Sequence, residues 1–232
     1  MARRKKQAML NSARHLIAKL NPKSPISEQY RTLRTNLQFS SVDEELKTIL
    51  VTSAGPSEGK SSTISNLAVV YAQQGKRVLL IDADLRKPTM HYTFRMDNLK
   101  GLSNILVGDT TMDEAIADGG VPGLDVIGCG PIPPNPSELL GSRRMEKFIE
   151  EAKNRYDIVL FDAPPVLAVT DAQILANSCD GSLLVIRSKH TDYEGAKKSI
   201  EALKPAKAKL LGTVLNDRDK KEANYYYYYG NN

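Results

Sequence analysis

The chain has 232 residues, is 41% hydrophobic and carries a formal net charge of +5. This length suits one α/β domain with extensions, and it is enough to bury a sizeable core. No apolar run approaches the roughly 18–20 residues that a membrane-spanning helix needs, so no transmembrane segment is predicted.

The N-terminal segment is strongly basic. Among its first 27 residues it has no acidic side chain and seven basic ones: Arg3, Arg4, Lys5, Lys6, Arg14, Lys19 and Lys23. We expect residues 1–25 to form a flexible arm, either a solvated tail or a contact to anionic lipid or nucleic acid. The remainder of the chain is close to neutral, which argues against a dedicated, specific nucleic-acid-binding surface.

After this arm, hydrophobic periodicity predicts alternating helices and strands. In chain order they are helix 27–39 capped by Ser27, strand 47–53, helix 60–74, strand 77–81, short helices near 101–106 and 112–117, strand 124–127, helix 142–155, strands 157–161 and 181–186, helix 193–203 and strand 209–215. Nearly continuous apolar strands that alternate with helices are typical of a mostly parallel sheet flanked by helices on both faces. We therefore predict an α/β domain over 26–216, followed by a flexible tail over 217–232.

The loop after the first predicted strand matches the P-loop pattern, except that Ala54 replaces the leading glycine. Backbone N–H groups of such a loop, with the N-terminus of the next helix, surround phosphates. A strand before the loop and a helix after it favour this interpretation over a plain glycine turn. The predicted ligand is MgATP, and the predicted binding residues are Gly55, Pro56, Ser57, Glu58, Gly59, Lys60, Ser61 and Ser62. The fold is accordingly predicted to be that of a P-loop NTPase.

Acidic residues end two other predicted strands. Asp162 follows one apolar strand, where a magnesium-holding carboxylate is expected, and Asp82 and Asp84 follow another. A strand-end Asp by itself is usually a turn former or a helix cap. Because the carboxyl ends of parallel strands face one crevice, we expect these three carboxylates to lie near the bound nucleotide.

The C-terminal tail contains five consecutive tyrosines, Tyr225, Tyr226, Tyr227, Tyr228 and Tyr229. Their strongly polar flanks favour an exposed substrate over the edge of a sheet. If the strand 209–215 is parallel to the strand before the P-loop, the tail leaves on the phosphate side. An extended tail would then span up to about 35–50 Å, which leaves transfer within one chain and between chains open. Asn216 and Arg218 are candidate contacts to the adenine, although a strand-end Asn is more often a turn former.

Four stretches of the chain resemble motifs of the bacterial tyrosine kinases that control capsule and exopolysaccharide synthesis. Residues 79–88 (LLIDADLRKP) are similar to the extra Walker motif of that family, and residues 130–140 (GPIPPNPSELL) match a second stretch. Residues 28–34 (EQYRTLR) resemble its oligomerisation motif, and the tyrosine pentad resembles its tail cluster. These stretches occur in the same order as in that family, and the resemblance covers roughly residues 26–229.

The resemblance implies an autophosphorylating P-loop kinase with ATP and Mg²⁺ as cofactors, and it carries roles onto the matched positions. Lys60 is implied to bind phosphate, and Ser61, Asp82 and Asp162 to organise magnesium. Asp82 is also the candidate base for the tyrosine hydroxyl, supported by Asp84. Arg86 and Lys87 are implied to help the active assembly near the incoming substrate.

The same resemblance implies a set of partners. Glu28, Arg31 and Arg34 would share one helix face and contact another subunit of a ring-shaped homo-oligomer, which favours transfer between chains. An ordinary solvated face is the alternative. A separate transmembrane protein would lend a cytoplasmic tail as activator and recruit the cytoplasmic kinase to the inner face of the membrane. A cognate tyrosine phosphatase and further protein substrates are implied as well.

Two other functions compete with the kinase hypothesis. A ParA/MinD-like P-loop ATPase shares the predicted fold and acts by nucleotide-dependent dimerisation. Those ATPases place a signature lysine at the second loop position, where this chain has Gly55. The other alternative is a non-catalytic, nucleotide-gated scaffold that binds a membrane partner through the basic arm.

Overall fold

The computed structural model describes residues 16–40 and 46–218. Residues 1–15 of the predicted basic arm and the tyrosines at 225–229 lie outside the described residues. A seven-stranded sheet forms the centre of the described part, with the strand order β3-β4-β2-β5-β1-β6-β7. Its strands are β1 Thr48–Ser53, β2 Val78–Asp82, β3 Ile116–Asp118, β4 Leu124–Ile127, β5 Ile158–Asp162, β6 Gly181–Arg187 and β7 Lys209–Asn216.

The neighbouring strands pair in parallel, except for β3, which is antiparallel to β4. The described helices are α1 Ile17–Leu20, α2 Pro25–Phe39, α3 Lys60–Ala72, α4 Met90–Phe94, α5 Leu102–Val107, α6 Met112–Ala115, α7 Pro136–Leu140, α8 Arg143–Arg155, α9 Asp171–Ala176 and α10 Tyr193–Leu203. The mostly parallel α/β fold predicted from the apolar strands is confirmed. None of these helices is long and apolar enough to cross a membrane.

Each face of the sheet carries its own apolar core. Because successive side chains of a strand point to opposite faces, β1 contributes Ile49 and Val51 to one buried cluster and Leu50 to the other. Helix α3 packs on the first cluster through Ile64 and Leu67. This double coverage explains why the central strands are nearly continuous apolar runs.

The start of the domain differs from the prediction in two ways. Helix α2 begins at Pro25, and Ser24 is its N-cap, because the Ser24 hydroxyl accepts a hydrogen bond from the N–H of Ser27 (3.1 Å). Proline suits the first helical position because it has no N–H to leave unpaired. The predicted cap, Ser27, lies inside the helix and is fully buried.

The predicted boundary of the flexible arm at residue 25 is wrong for residues 16–25. Leu16 and Ala18 are buried. The N–H of Ala18 donates to Asn66 Oδ1 (2.9 Å), and Gln73 Nε2 donates to the Ala18 carbonyl (2.9 Å). Helix α1 is thus fastened to α3, and this part of the arm belongs to the domain.

The irregular middle of the chain contains the remaining differences. The helix predicted at 112–117 ends at Ala115, and Ile116–Asp118 forms the antiparallel strand β3. Helices α4, α7 and α9 were not predicted. They have only five or six residues, which is too short for a helical apolar period to be visible in the sequence.

Candidate active site

The predicted P-loop connects β1 to α3 at the carboxyl edge of the sheet. Gly59 has a φ of +96°, a left-handed conformation that favours glycine, and Lys60 is the first residue of α3. A Cβ added to Gly59 would lie 1.9 Å from Asn216 Nδ2, at the end of β7. The loop therefore turns sharply and lies against the last strand.

Lys60 lies at the centre of the acidic cluster. Its Nζ is 3.0 Å from Asp84 Oδ2 and 3.2 Å from Asp162 Oδ1. Burial alone would lower the pKa of Lys60, but the carboxylates of Asp162, Asp84 and Asp82 outweigh it and hold this pKa above its ordinary value. Lys60 thus keeps its positive charge although its side chain is only 12% exposed, which suits a phosphate ligand.

Asp82 and Asp162 are partners in the parallel pairing of β2 with β5, and both are fully buried. Burial raises the pKa of Asp82 to about 7, and the charge of Asp162 acts in the same direction. The N–H groups of Thr89 and Met90 donate to Asp82 Oδ2 at 2.8 and 2.9 Å and oppose this shift. A carboxyl group with a pKa near neutrality is suited to accept a proton in catalysis.

The donor set of this cluster is chemically suited to magnesium, because Mg²⁺ prefers carboxylate and hydroxyl oxygens together with phosphates of the substrate. Ser61 is buried beside Lys60, and Lys60 Nζ lies 3.3 Å from its hydroxyl oxygen. Within 16–40 and 46–218, no group of three or more His, Cys, Asp or Glu residues is arranged to hold a metal by itself. Ser61, Asp82 and Asp162 would hold the ion, which supplies charge neutralisation for a bound triphosphate.

Arg86 and Lys87 follow the acidic pair in the chain, as the motif predicted, but their side chains differ in environment. The Arg86 guanidinium binds both oxygens of Asp171, at 2.9 and 3.0 Å, and donates to Ser137 Oγ at 3.1 Å. The side chain of Lys87 is exposed, and its N–H donates to Asp84 Oδ1 at 3.0 Å. Sequence reasoning missed Asp171 and Ser137, and the one signal was that Ser137 lies in the motif at 130–140.

Glu58 connects the P-loop to the segment that follows β6 and to the end of β7. Its carboxylate is buried and accepts a hydrogen bond from Thr191 Oγ1 (2.6 Å), while its carbonyl accepts one from Asn216 Nδ2 (2.9 Å). Asn216 thus lies at the P-loop, although its predicted contact to adenine stays a prediction. Arg218 is exposed just beyond it. Thr191 was missed because nothing in its sequence neighbourhood marks it.

The predicted subunit-contact residues lie on α2, away from this cluster. Glu28 and Arg31 form an ion pair with each other. Arg34 instead turns toward the domain and donates to the carbonyl of Val70 near the end of α3 (2.7 Å). Within the described chain, Arg34 therefore does not share the exposed environment of Glu28, and the role of the three residues in assembly stays a prediction.

A parallel sheet with a glycine loop before a helix N-terminus, facing acidic residues at neighbouring strand ends, defines a P-loop NTPase. In agreement, the AAA domain family model matches residues 46–215. The septum site-determining protein MinD of Pyrococcus horikoshii, solved with Mg-ADP, is 23% identical with a TM-score of 0.63, covering 75% of this chain and 72% of that one. That likeness concerns the fold alone.

More similar proteins define the family. Tyrosine-protein kinase YwqD of Bacillus subtilis (strain 168) is 54% identical over 217 residues, which cover 94% of this chain and 92% of YwqD. The kinase domain of Escherichia coli tyrosine kinase ETK has a TM-score of 0.86 and 39% identity, covering 89% of this chain and 81% of that domain. The chimerical protein CapA2B2 also has a TM-score of 0.86, at 42% identity, covering 88% and 90%. The chain belongs to the bacterial tyrosine kinase family.

Proposed function

We propose that this protein is an ATP-dependent tyrosine autokinase that phosphorylates the cluster at 225–229. The observation that carries the proposal is the place where the tail leaves the fold. Strand β7 runs parallel to β6, and its last residue, Asn216, donates to the P-loop carbonyl of Glu58 at 2.9 Å. A tail that continues from Asn216 therefore starts beside the predicted phosphate-binding loop.

The length of the tether suits this role. Tyr225 follows Asn216 by nine positions, and an extended chain of that length spans up to about 30 Å. Such a tail reaches the phosphates of its own chain or those of an adjacent subunit. We propose transfer between subunits, because the exposed pair of Glu28 and Arg31 on α2 supplies a charged surface for a second copy.

The cluster of charges supplies what phosphoryl transfer needs. The tyrosine oxygen forms a bond to the γ-phosphorus of ATP while the bond from that phosphorus to the β–γ bridging oxygen breaks, and ADP leaves with that oxygen. Lys60 neutralises charge on the phosphates, and the phenolic proton passes to Asp82. Because the transition state is loose, alignment and charge neutralisation carry most of the catalysis.

Regulation follows from the family and from the charges of the tail. We propose that the cytoplasmic tail of a transmembrane protein activates the kinase and recruits it to the inner face of the membrane, and that a tyrosine phosphatase reverses the reaction. The process controlled would be capsule or exopolysaccharide synthesis. Each phosphotyrosine adds about −1.5 to −2 charges. A phosphorylated cluster would therefore be repelled by the carboxylates of Asp82, Asp84 and Asp162 in a neighbouring site, and the oligomer would dissociate.

Labelling with γ-labelled ATP tests the proposal, with and without the cytoplasmic tails of candidate membrane activators. Label is expected on the tyrosine cluster, and Lys60→Met should lower it more than about 100-fold because the phosphates lose their buried positive charge. Lys76→Met is the matched control, since Lys76 is exposed beyond the far end of α3. Transfer between subunits predicts that a Lys60→Met chain mixed with an active chain lacking the five tyrosines still becomes labelled.

The same assay separates the alternatives. A ParA/MinD-like ATPase would release phosphate without labelling the protein, and a nucleotide-gated scaffold would do neither. Normal labelling of Lys60→Met, or unchanged labelling after all five tyrosines are replaced by Phe, would contradict the autokinase. A size measurement before and after ATP treatment tests the release of subunits: an unchanged oligomer after full phosphorylation contradicts it.

A further inference from the structure

Three separate segments meet at the guanidinium of Arg86. Asp171 begins helix α9 and is fully buried, although its partner Arg86 is partly exposed. Ser137 comes from α7, and its hydroxyl donates to Asp171 Oδ1 (2.7 Å) while it accepts from Arg86 (3.1 Å). Burial alone would raise the pKa of Asp171, but the hydrogen bonds from Arg86 and Ser137 outweigh it and hold this pKa low. Asp171 is thus a buried carboxylate whose charge depends on these two partners.

Arg86 lies in the middle of the loop that shapes the catalytic carboxylates. This loop, residues 84–90, folds back so that its backbone donates to them. The N–H of Lys87 binds Asp84 Oδ1, and those of Thr89 and Met90 bind Asp82 Oδ2. The orientation of Asp82 and Asp84 therefore depends on where the loop 84–90 is held.

We propose that Asp171 and Ser137 are positioning residues that act through Arg86 to hold the loop 84–90, and with it the orientation of Asp82 and Asp84 toward magnesium and the phosphates. A two-oxygen contact to a planar guanidinium fixes direction as well as distance, which a single charge contact does not. In this role the Arg86 guanidinium binds Asp171 and does not bind phosphate. The inference rests on the proposed nucleotide site and deepens it.

This role predicts a specific defect in magnesium-dependent binding. Magnesium would be held partly by Asp82, whereas the P-loop backbone binds phosphates by itself. Misplaced carboxylates should therefore reduce the gain in ADP affinity that magnesium provides and leave ADP affinity in EDTA unchanged. A protein that is merely less stable would lose affinity in both conditions.

Calorimetric titration of the full chain with ADP, in Mg²⁺ and in EDTA, provides the test. We expect Arg86→Ala and Asp171→Asn each to reduce the magnesium-dependent gain about tenfold, since small displacements of aligned groups have large effects. The double variant should be no worse than either single one, because both remove the same contact. Ser137→Ala should reduce the gain about threefold, and Arg86→Lys should fall between wild type and Arg86→Ala because it keeps the charge but not the two-oxygen geometry.

Arg77→Ala is the matched control. Arg77 pairs with Asp157 just before β2 and β5, at the opposite end of the same strands, and its loss should leave the magnesium-dependent gain unchanged. If Asp171→Asn does not fold, Ser137→Ala and Arg86→Lys decide the question. A defect in Arg86→Ala with normal Asp171→Asn and Ser137→Ala would show that Arg86 acts directly on the ligand and would overturn the inference. Failure of the wild-type chain to bind ADP at all would overturn the proposed nucleotide site as well.

Discussion

The predicted phosphate-binding edge of the sheet and the charged surface of helix α2 both carry motifs that can be seen in the sequence, yet their side chains differ in burial. At the edge, Asp82 and Asp162 are fully buried and Lys60 contacts two carboxylates. On α2, Glu28 and Arg31 form a pair that is open to solvent, in which the Glu28 side chain is 64% exposed. The charges at the sheet edge contact one another within a single chain, whereas the charged pair on α2 faces solvent.

The two regions differ in how much their charges affect the stability of the single chain. Buried charges of the first region are costly unless their partners are in place, so its geometry is determined by the fold itself. An exposed ion pair contributes about 0–1 kcal/mol, so Glu28 and Arg31 do little for the isolated chain. Their role, if it is assembly, needs a second copy. Substitutions in the two regions should therefore affect different measurements.

The largest expected effect is that of Asp82→Asn. The variant loses the proposed proton acceptor, and tyrosine labelling should fall roughly 100- to 1,000-fold. The free energy of unfolding, in contrast, should rise above neutral pH. Because the folded-state pKa of Asp82 is about 7, against an ordinary value of 3.8, the folded protein binds this proton more tightly than the unfolded chain. The stability from this group is full below about pH 4 and is lost as the pH rises through about 7.

Above neutral pH, in EDTA and without nucleotide, Asp82→Asn should consequently be more stable than wild type, by on the order of 2 kcal/mol. Denaturant unfolding at pH 5 and pH 8 measures this difference in stability, and the gain should appear at pH 8.

Asp180→Asn is the matched control, for which the expected change in stability has the opposite sign. Hydrogen bonds from Lys153 and from the Thr48 and Lys47 segment outweigh burial and lower the pKa of Asp180, so its loss should destabilise at pH 8. A destabilised Asp82→Asn at pH 8 would contradict the raised pKa of Asp82 on which the prediction rests.

The next effect in size is that of Gly59→Ala. The substitution combines a φ of +96° with a Cβ placed 1.9 Å from Asn216 Nδ2, so the P-loop must shift or the Asn216 side chain must give up its contact to the Glu58 carbonyl. We expect ADP affinity to fall about tenfold or more and the free energy of unfolding to fall by about 1–2 kcal/mol. Titration and denaturant unfolding measure the two quantities.

Gly75→Ala separates the effect of backbone strain at a positive φ from the effect of a steric clash of the added Cβ. Gly75 has a φ of +88° but nothing within 4 Å of the added Cβ. It should therefore lose a similar amount of stability and keep its ADP affinity. Equal affinities for Gly59→Ala and wild type would show that the P-loop is less rigidly held than the structure indicates.

The smallest effects on the single chain are expected on α2. Arg34→Ala removes a hydrogen bond to the Val70 carbonyl and should cost about 1 kcal/mol, whereas Arg31→Ala should cost about 0.5 kcal/mol or less. Both should leave ADP affinity unchanged. Sedimentation should show a weaker oligomer for Arg31→Ala, and an unaltered oligomer would remove α2 from the proposed subunit contact.

Much of the candidate site at the carboxyl edge of the sheet could be predicted because its signals lie within short stretches of the chain. An apolar strand followed by Asp82, or by the glycine loop and Lys60, can be recognised from a few neighbouring residues. The parallel direction of the strands then brings their ends to one edge, as the contacts of Lys60 with Asp84 and Asp162 confirm. The packing of residues 16–25 was missed because a helix of four residues shows no period.

The α/β class, the P-loop pattern and the acidic strand ends can be read from the amino-acid sequence, since each is a local pattern whose meaning does not depend on distant packing. The contacts of Arg86 with Asp171, 85 positions away, and of Asn216 with Glu58, 158 positions away, are seen only in the folded chain. Such contacts depend on the packing of separate elements to within about an ångström. No periodicity or spacing in a chain encodes a distance of that kind, and so the partners of the proposed catalytic residues became visible only in the fold.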